Sequence, residues 1–246
     1  MRPDVIDLRD FYAGRLGGTA RQLLRVRIRR LWPDMRDQRL LGLGYAVPYL
    51  TQYRAEAERV LAFMPAAQGV LRWPSDGLGN LVALTEETEL PLPDASIDRV
   101  LLVHGLENAD NAGALLREIW RVLTGSGRLL VVTPSRTGLW ARTERTPFGH
   151  GQPYSQGQLT RLLRDHMFQP SERAGALYLP PVSARMLLGA AAAWEKLGLT
   201  LWPAFAGVHL TEADKQIYAA RPLHARPRQR FRAATLRPAG RGAATD

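Results

Sequence analysis

Two continuously apolar runs set the tightest limit on what this chain can become. Val100-Leu-Leu-Val103 and Leu129-Leu-Val-Val132 carry no polar residue on either alternating side. As strands they must therefore be covered on both faces, which is the condition of a parallel sheet between helical layers. Further apolar runs of strand length stand at 39–43, 59–64 and 80–84, and the two central runs extend to 99–103 and 128–133. Helical spacing separates several of them. Leu116, Ile119, Trp120 and Leu123 recur at i, i+3, i+4 and i+7, and Leu159, Leu162, Leu163 and Met167 follow a Ser155–Gln158 capping box. A second such signal, Thr19 with Gln22, precedes Leu24, Ile28 and Leu31, and Trp32-Pro33 ends that helix. Strands interleaved with helices predict a three-layer α/β domain with right-handed crossovers.

The 246 residues, 46% of them hydrophobic, suffice for one core with appendages. No apolar run is long enough to span a bilayer, and the N-terminus MRPDVIDLRD has acids where a signal peptide needs an apolar segment. The expectation is a soluble, cytoplasmic protein. The absence of cysteine excludes disulfides, thiolate metal sites and a cysteine nucleophile. No His, Asp or Glu cluster has metal-ligand spacing, so no metal is expected.

The net charge of +10 is unevenly placed. Residues 221–246 hold seven arginines and one aspartate, which is +6 of the total, in a segment rich in Pro, Gly and Ala. That composition predicts a disordered basic tail. Arg21, Arg25 and Arg29 share one helix face, but lysine is confined to Lys196 and Lys215. Arginine is thus this chain's general surface cation, and nucleic acid is not the expected partner.

Three linked blocks carry a resemblance. Glu89-Leu-Pro-Leu-Pro leads to Asp98 and strand Val100–Val103 with His104; Leu116-Arg-Glu-Ile-Trp-Arg-Val-Leu123 follows; Gly125-Ser-Gly127 then introduces 128–132. Their order and spacing closely resemble the class I S-adenosylmethionine-dependent methyltransferases of the small-molecule (type 11) group, over roughly residues 39–135. Physical reasons stand beside the match. Pro91 and Pro93 hold an extended crossing outside any central strand. Asp98 can bond backbone at the start of its strand, and Gly125 and Gly127 suit a tight turn between helix and strand. The resemblance implies a Rossmann-like sheet, mostly parallel with an antiparallel edge strand, to which residues 207–219 would contribute. It divides the chain into an N-terminal helical lid (1–38), a methyltransferase domain (39–220) and the tail (221–246).

The same resemblance implies S-adenosyl-L-methionine as cofactor and locates its loop in RLLGLGYAVPYL, residues 39–50. Aligned on Gly44, Gly42 replaces the family's acid, and Ala46 and Pro48 replace two glycines. Alanine fits if its φ is negative, and proline fits a first helical turn. The strand after it, ending Phe63-Met64, also lacks the usual acid for the ribose, with Gln68 as a neutral substitute. The implied cofactor-facing residues are Tyr12, Gly42, Leu43, Gly44, Tyr45, Glu86, Glu87, Leu90 and His104. Glu86 and Glu87 read equally as a solvated turn. Phe11 and Tyr12 resemble an aromatic lid, or else pack a helix on the core.

The implied reaction is methyl transfer to an unidentified small-molecule acceptor. The alternative is an inactive methyltransferase-like module that binds a partner. His104 ends its strand where such sheets meet their ligands, and reads as a base, a cofactor contact or a structural residue. The long connection 136–154 should face the acceptor through Trp140, Phe148, His150 and Tyr154. Residues 183–197 are apolar enough to cover a pocket, pair with another subunit or touch a membrane surface, core packing being the plain alternative. Nothing in the sequence specifies an oligomer.

Overall fold

The computed structural model describes residues 2–217 apart from 76 and 78; the tail expected at 221–246 lies outside the described residues. Seven strands form one sheet: β1 Arg39–Gly44, β2 Arg59–Pro65, β3 Val82–Thr85, β4 Ile97–Val103, β5 Leu123–Pro134, β6 Phe168–Ala176 and β7 Val208–Lys215. Their order is β3-β2-β1-β4-β5-β7-β6. The first five are parallel, and β7 runs against both of its neighbours, β5 and β6. The expected parallel sheet with a reversed strand at one side is present. The reversed strand lies second from that side, and β6, which its sequence does not announce, is outermost.

Alternation along the strands explains the three layers. Leu40, Leu101, Val103, Leu130 and Val132 join one apolar cluster with Leu8 and Tyr12 of helix α1 (Val5–Ala13) and with Leu24 and Ile28 of α2 (Arg15–Leu31). Leu41, Val100, Leu102, Leu129 and Val131 face the other way, onto α4 (Ala112–Val122) and α5 (Gln156–Asp165). Each continuous run is thus split residue by residue between two cores. Helix α3 is a single turn, Val47–Leu50, and α6 (Arg185–Gly189) and α7 (Ala191–Leu201) lie before β7.

Local chemistry sets the helix ends. Ser155 accepts from the Gln158 N–H and donates its own N–H to the Gln158 side chain, closing the expected box. The Thr19 box does not form, because α2 already begins at Arg15 and the Thr19 hydroxyl donates to the Arg15 carbonyl instead. Asp4 caps α1 by accepting from the Ile6 and Asp7 N–H groups. No glycine turn separates α4 from β5: Leu123 is already extended, and a Cβ on Gly127 would lie 2.9 Å from the Leu123 side chain and the Thr124 carbonyl.

At the opposite end of the sheet from the site, Asp98 ties β4 to β1. Its carboxylate accepts from the Arg39 backbone N–H at 3.0 Å and from Arg39 Nε and Nη2 at 2.9 and 3.1 Å. Burial alone would raise this carboxyl, but the hydrogen bonds from Arg39 outweigh it and hold it below its usual value. Its stabilisation is therefore full above the unfolded pKa of about 4 and lost as pH falls through the lower folded value. Asp98→Asn should lose about 1–3 kcal/mol in denaturant unfolding at pH 7, with a difference from wild type that shrinks toward pH 3.

Candidate functional site

The order of strands reverses between β1 and β4, and the ligand crevice of an open parallel sheet forms where that happens. Here the two strand ends are drawn together. The Tyr45 N–H donates to the Val103 carbonyl at 2.8 Å, and Gly44 turns away at φ 73°. A Cβ on Gly44 would stand 2.2 Å from the Val103 oxygen, so this close approach requires glycine. Ala46 has φ −87° and Pro48 lies in the first turn of α3, so both departures from a glycine-rich loop are accommodated. At Gly42 the space for an acid is filled: a Cβ would meet Leu50 at 2.6 Å and Ala46 at 2.8 Å. The change from acid to glycine and the apolar cover over it form one packed unit.

Beside Gly44 lies a narrow crevice of about 10 Å³, lined by Leu43, Gly44, Phe63, Thr85, Glu87 and Leu90 among others. Leu43, Gly44, Glu87 and Leu90 are thus brought together as expected. Thr85 and Phe63 are additions, visible in the sequence only as ends of strands. Gly42 is under Leu50 and outside the crevice, and Glu86 is exposed, in a turn bridged to Glu89. Glu87 is half-buried; burial raises its carboxyl, partly countered by Arg2 at 3.7 Å. One of its oxygens, Oε1, is buried without a hydrogen bond.

Over the end of β4 lies a buried chain of polar groups. The Tyr49 hydroxyl donates to Tyr12 at 2.8 Å, and the Tyr12 hydroxyl stands 2.8 Å from His104 Nε2. With Tyr12 donating there, a neutral His104 carries its proton on Nδ1, which faces Glu107 Oε1 at 3.4 Å. Burial is the main cause raising the hydroxyls of Tyr12 and Tyr49, so both stay protonated. His104 holds φ 52°, uncommon for any residue but glycine. Gln68 reaches the same place, donating to the His104 carbonyl at 3.4 Å, while its own carbonyl oxygen has no partner. Both oxygens of Glu107 and Oδ1 of Asn108 are likewise buried without hydrogen bonds. Buried polar groups without hydrogen bonds are uncommon in a folded interior, and several of them gather at this end of β4.

Aromatic rings enclose the chain. Tyr45 stacks on Tyr12 with centroids 5.8 Å apart, and Phe148 lies 4.7 Å from the His104 ring. His104 is therefore sealed beneath Tyr12 and Phe148, at 1% exposure, and does not face the open surface as an acceptor's base would. Tyr45 and Tyr12 sit together on the α1 side of Gly44, away from the crevice. Trp140 is a core residue, its indole donating to the Leu179 carbonyl at 2.8 Å. His150 lines a mouth of about 360 Å³ with Arg2, Phe11, Glu144 and Arg145, and Tyr154 is half-buried with its hydroxyl raised by burial and then by Glu107. Arg21, Arg25 and Arg29 do share one groove, where Arg29 is paired with Glu56. Among the described residues no group of three or more His, Cys, Asp or Glu could hold a metal, and no helix is long and apolar enough to cross a membrane.

Residues 41–131 match the family model described as a methyltransferase domain. A protein of Mycobacterium tuberculosis strain H37Rv, named a probable S-adenosylmethionine-dependent methyltransferase, is 38% identical over 94 residues, covering 37% of this chain and 34% of that one. A relative of the same description from Mycolicibacterium smegmatis is 34% identical over 143 residues, covering 57% and 48%. The chain thus spans about a third to a half of these curated relatives. The crystal structure of a SAM-dependent methyltransferase from Thermotoga maritima shares the fold, with a TM-score of 0.59, 15% identity, and coverage of 86% of this chain and 96% of that one.

The buried tyrosine gives a direct test of this assembly. Tyr12→Phe keeps the ring but strands the Tyr49 hydroxyl and His104 Nε2, and should lose about 1–3 kcal/mol in chemical denaturation. An unchanged midpoint would show that the contact contributes nothing.

Proposed function

We propose that this chain, whose residues 41–131 match the methyltransferase-domain model, is a class I S-adenosylmethionine-dependent methyltransferase that transfers a methyl group from S-adenosylmethionine to a small-molecule acceptor. The observation that carries this reading is the crevice at the β1–β4 switch point, where Gly44 and Gly105 leave backbone open beside the half-buried Glu87. The residues present fit a nucleoside. Leu43, Phe63, Leu90 and Leu102 supply apolar walls for a purine, and the orphaned Glu87 oxygen supplies an acceptor for its donors. The acid missing from Gly42 and from the end of β2 leaves Glu87 as the carboxylate on which recognition rests.

Residues 1–38 act as the lid. Tyr12 and Phe11 close over the strand ends, and at about 10 Å³ the crevice is nearly shut, far below the roughly 300–1,000 Å³ usual for a drug-sized ligand. Admitting the whole cofactor then requires the crevice walls to part, with Arg2 of the N-terminal segment releasing Glu87. The bound sulfonium supplies the electrophile. The chain's task is to orient the two reactants in line and to keep water out, which needs little acid–base chemistry. His104 positions Tyr12. The acceptor enters by the mouth beside Phe11, Arg145 and His150, whose ring and cations suit an aromatic or acidic molecule.

Titration calorimetry of S-adenosylmethionine and S-adenosylhomocysteine tests the reading. Binding in the micromolar range is expected, abolished by Gly44→Asp, whose side chain collides with the Val103 carbonyl. Glu87→Gln should weaken it about tenfold or more, the loss of one charge-assisted hydrogen bond. Absence of heat with either ligand on the wild-type chain would overturn the proposal.

A further inference from the structure

The apolar surface left open by the fold is concentrated in one place. Of thirteen large hydrophobic side chains exposed among the described residues, seven lie between 182 and 205, including Met186 at 85%, Phe205 at 62%, Leu201 at 57% and Trp202 at 50%. Their helices are inverted relative to an ordinary surface helix, which buries its large apolar side chains. Helix α7 buries Ala191, Glu195 and Gly198 and turns Leu197, Leu199 and Leu201 outward. Helix α6 buries no residue at all.

The charges follow the same inversion. Glu195 is the only acid between 174 and 210, and it points inward, accepting from the Tyr178 N–H at 2.7 Å with Arg27 at 3.9 Å. The exposed charges of this segment are Arg185 and Lys196, both cations. The neighbouring loop is joined on by Thr137, whose hydroxyl donates to the Ala204 carbonyl at 2.8 Å. It adds exposed Leu139, Arg142 and Arg145, with Glu144 as the one carboxylate lining the groove between that loop and Val182.

We propose that this surface docks on an anionic lipid bilayer. Met186, Leu201, Trp202 and Phe205 enter the boundary between headgroups and acyl chains, while Arg185, Lys196, Arg142 and Arg145 meet the phosphates. A wide apolar surface rimmed by cations, with Glu144 as the single exposed acid among these residues, is what an interfacial segment requires. Charge also argues against a second copy of this chain as the occupant. A two-fold contact would set Arg185, Lys196, Arg142 and Arg145 against the same cations of its mate, with Glu144 as the one carboxylate of the groove to pair them. A bilayer of anionic lipids supplies the opposite charge over the whole surface. Arg145 lines both this groove and the mouth beside Phe11, so a docked molecule would hold that mouth close to the membrane.

The test is flotation of the full chain with vesicles of phosphatidylglycerol and phosphatidylcholine, against pure phosphatidylcholine, without cofactor. It is thus independent of the calorimetric test of methyl transfer. Binding to the anionic vesicles is expected, falling with added salt. The full-chain variant Trp202→Glu with Phe205→Glu should keep the wild-type melting temperature, since both side chains are exposed, and bind about tenfold more weakly or worse. If that variant floats as well as wild type, the arginines of 221–246 carry the binding and the proposal fails. It fails equally if wild type does not float, whether sedimentation velocity then finds a monomer or a dimer that the variant breaks.

Discussion

The backbone at Gly44 and the carbonyl of Val103 come closer than any side chain would allow, and the site grows from that approach. It lets the Tyr45 N–H donate across the gap between β1 and β4, and it leaves β4 to end in His104 with positive φ. From that strained position the His104 ring points under α1, where Tyr12 and Phe148 cover it. Move Gly44 outward by a methyl group and the pairing, the turn and the ring's position all change together. Strain of this kind survives only where surrounding structure over-determines it. Two packed cores, one on each face of the sheet, supply that constraint here.

The second feature of the site is a concentration of polar groups in a dry place. Tyr49, Tyr12 and His104 form a connected chain, while Gln68, Glu87, Glu107 and Asn108 each keep a buried atom without a hydrogen bond. In a low dielectric the satisfied part is stiff and the unsatisfied part is costly. The arrangement is therefore poised: a ligand that satisfies Glu87 recovers free energy the folded chain has forgone. Two buried acids lie away from this edge: Glu195, one oxygen of which accepts from the Tyr178 N–H and anchors α7, and Glu212, which accepts from the Trp32 indole.

Much of the fold is legible in particular residues. The runs at 100–103 and 129–132 require burial on both faces, and Leu101 and Leu102 do face opposite cores. Ser155 with Gln158 caps its helix as its spacing demands. Thr19 with Gln22 has the same spacing and caps nothing, because Arg15 to Gly18 continue the helix and no local signal stops them. Strand β6 is invisible beforehand: Phe168–Ala176 contains Pro170 and four polar or charged residues, and it becomes a strand because β7 offers it an edge. The site divides in the same way. Leu43, Gly44 and Glu87 were readable from the loop and the turn they occupy. Tyr49 was not, since a tyrosine in a short apolar helix turn announces only burial.

The sequence alone determined the layered α/β architecture, because period and burial are properties of neighbouring residues, while the strand order that makes the switch point came with the tertiary structure. It also determined that the loop at 42–48 departs from an acid-and-glycine pattern. How that departure is packed was decided only by the tertiary structure. Leu50 and Ala46 fill the space of the missing acid, and Glu87 arrives from a distant turn to stand beside Gly44. The same holds for the outward face of α7, whose apolar composition is equally compatible with a core. Which side of a helix meets solvent depends on what packs against it, and the small residues Ala191 and Gly198 are what the rest of the chain admits.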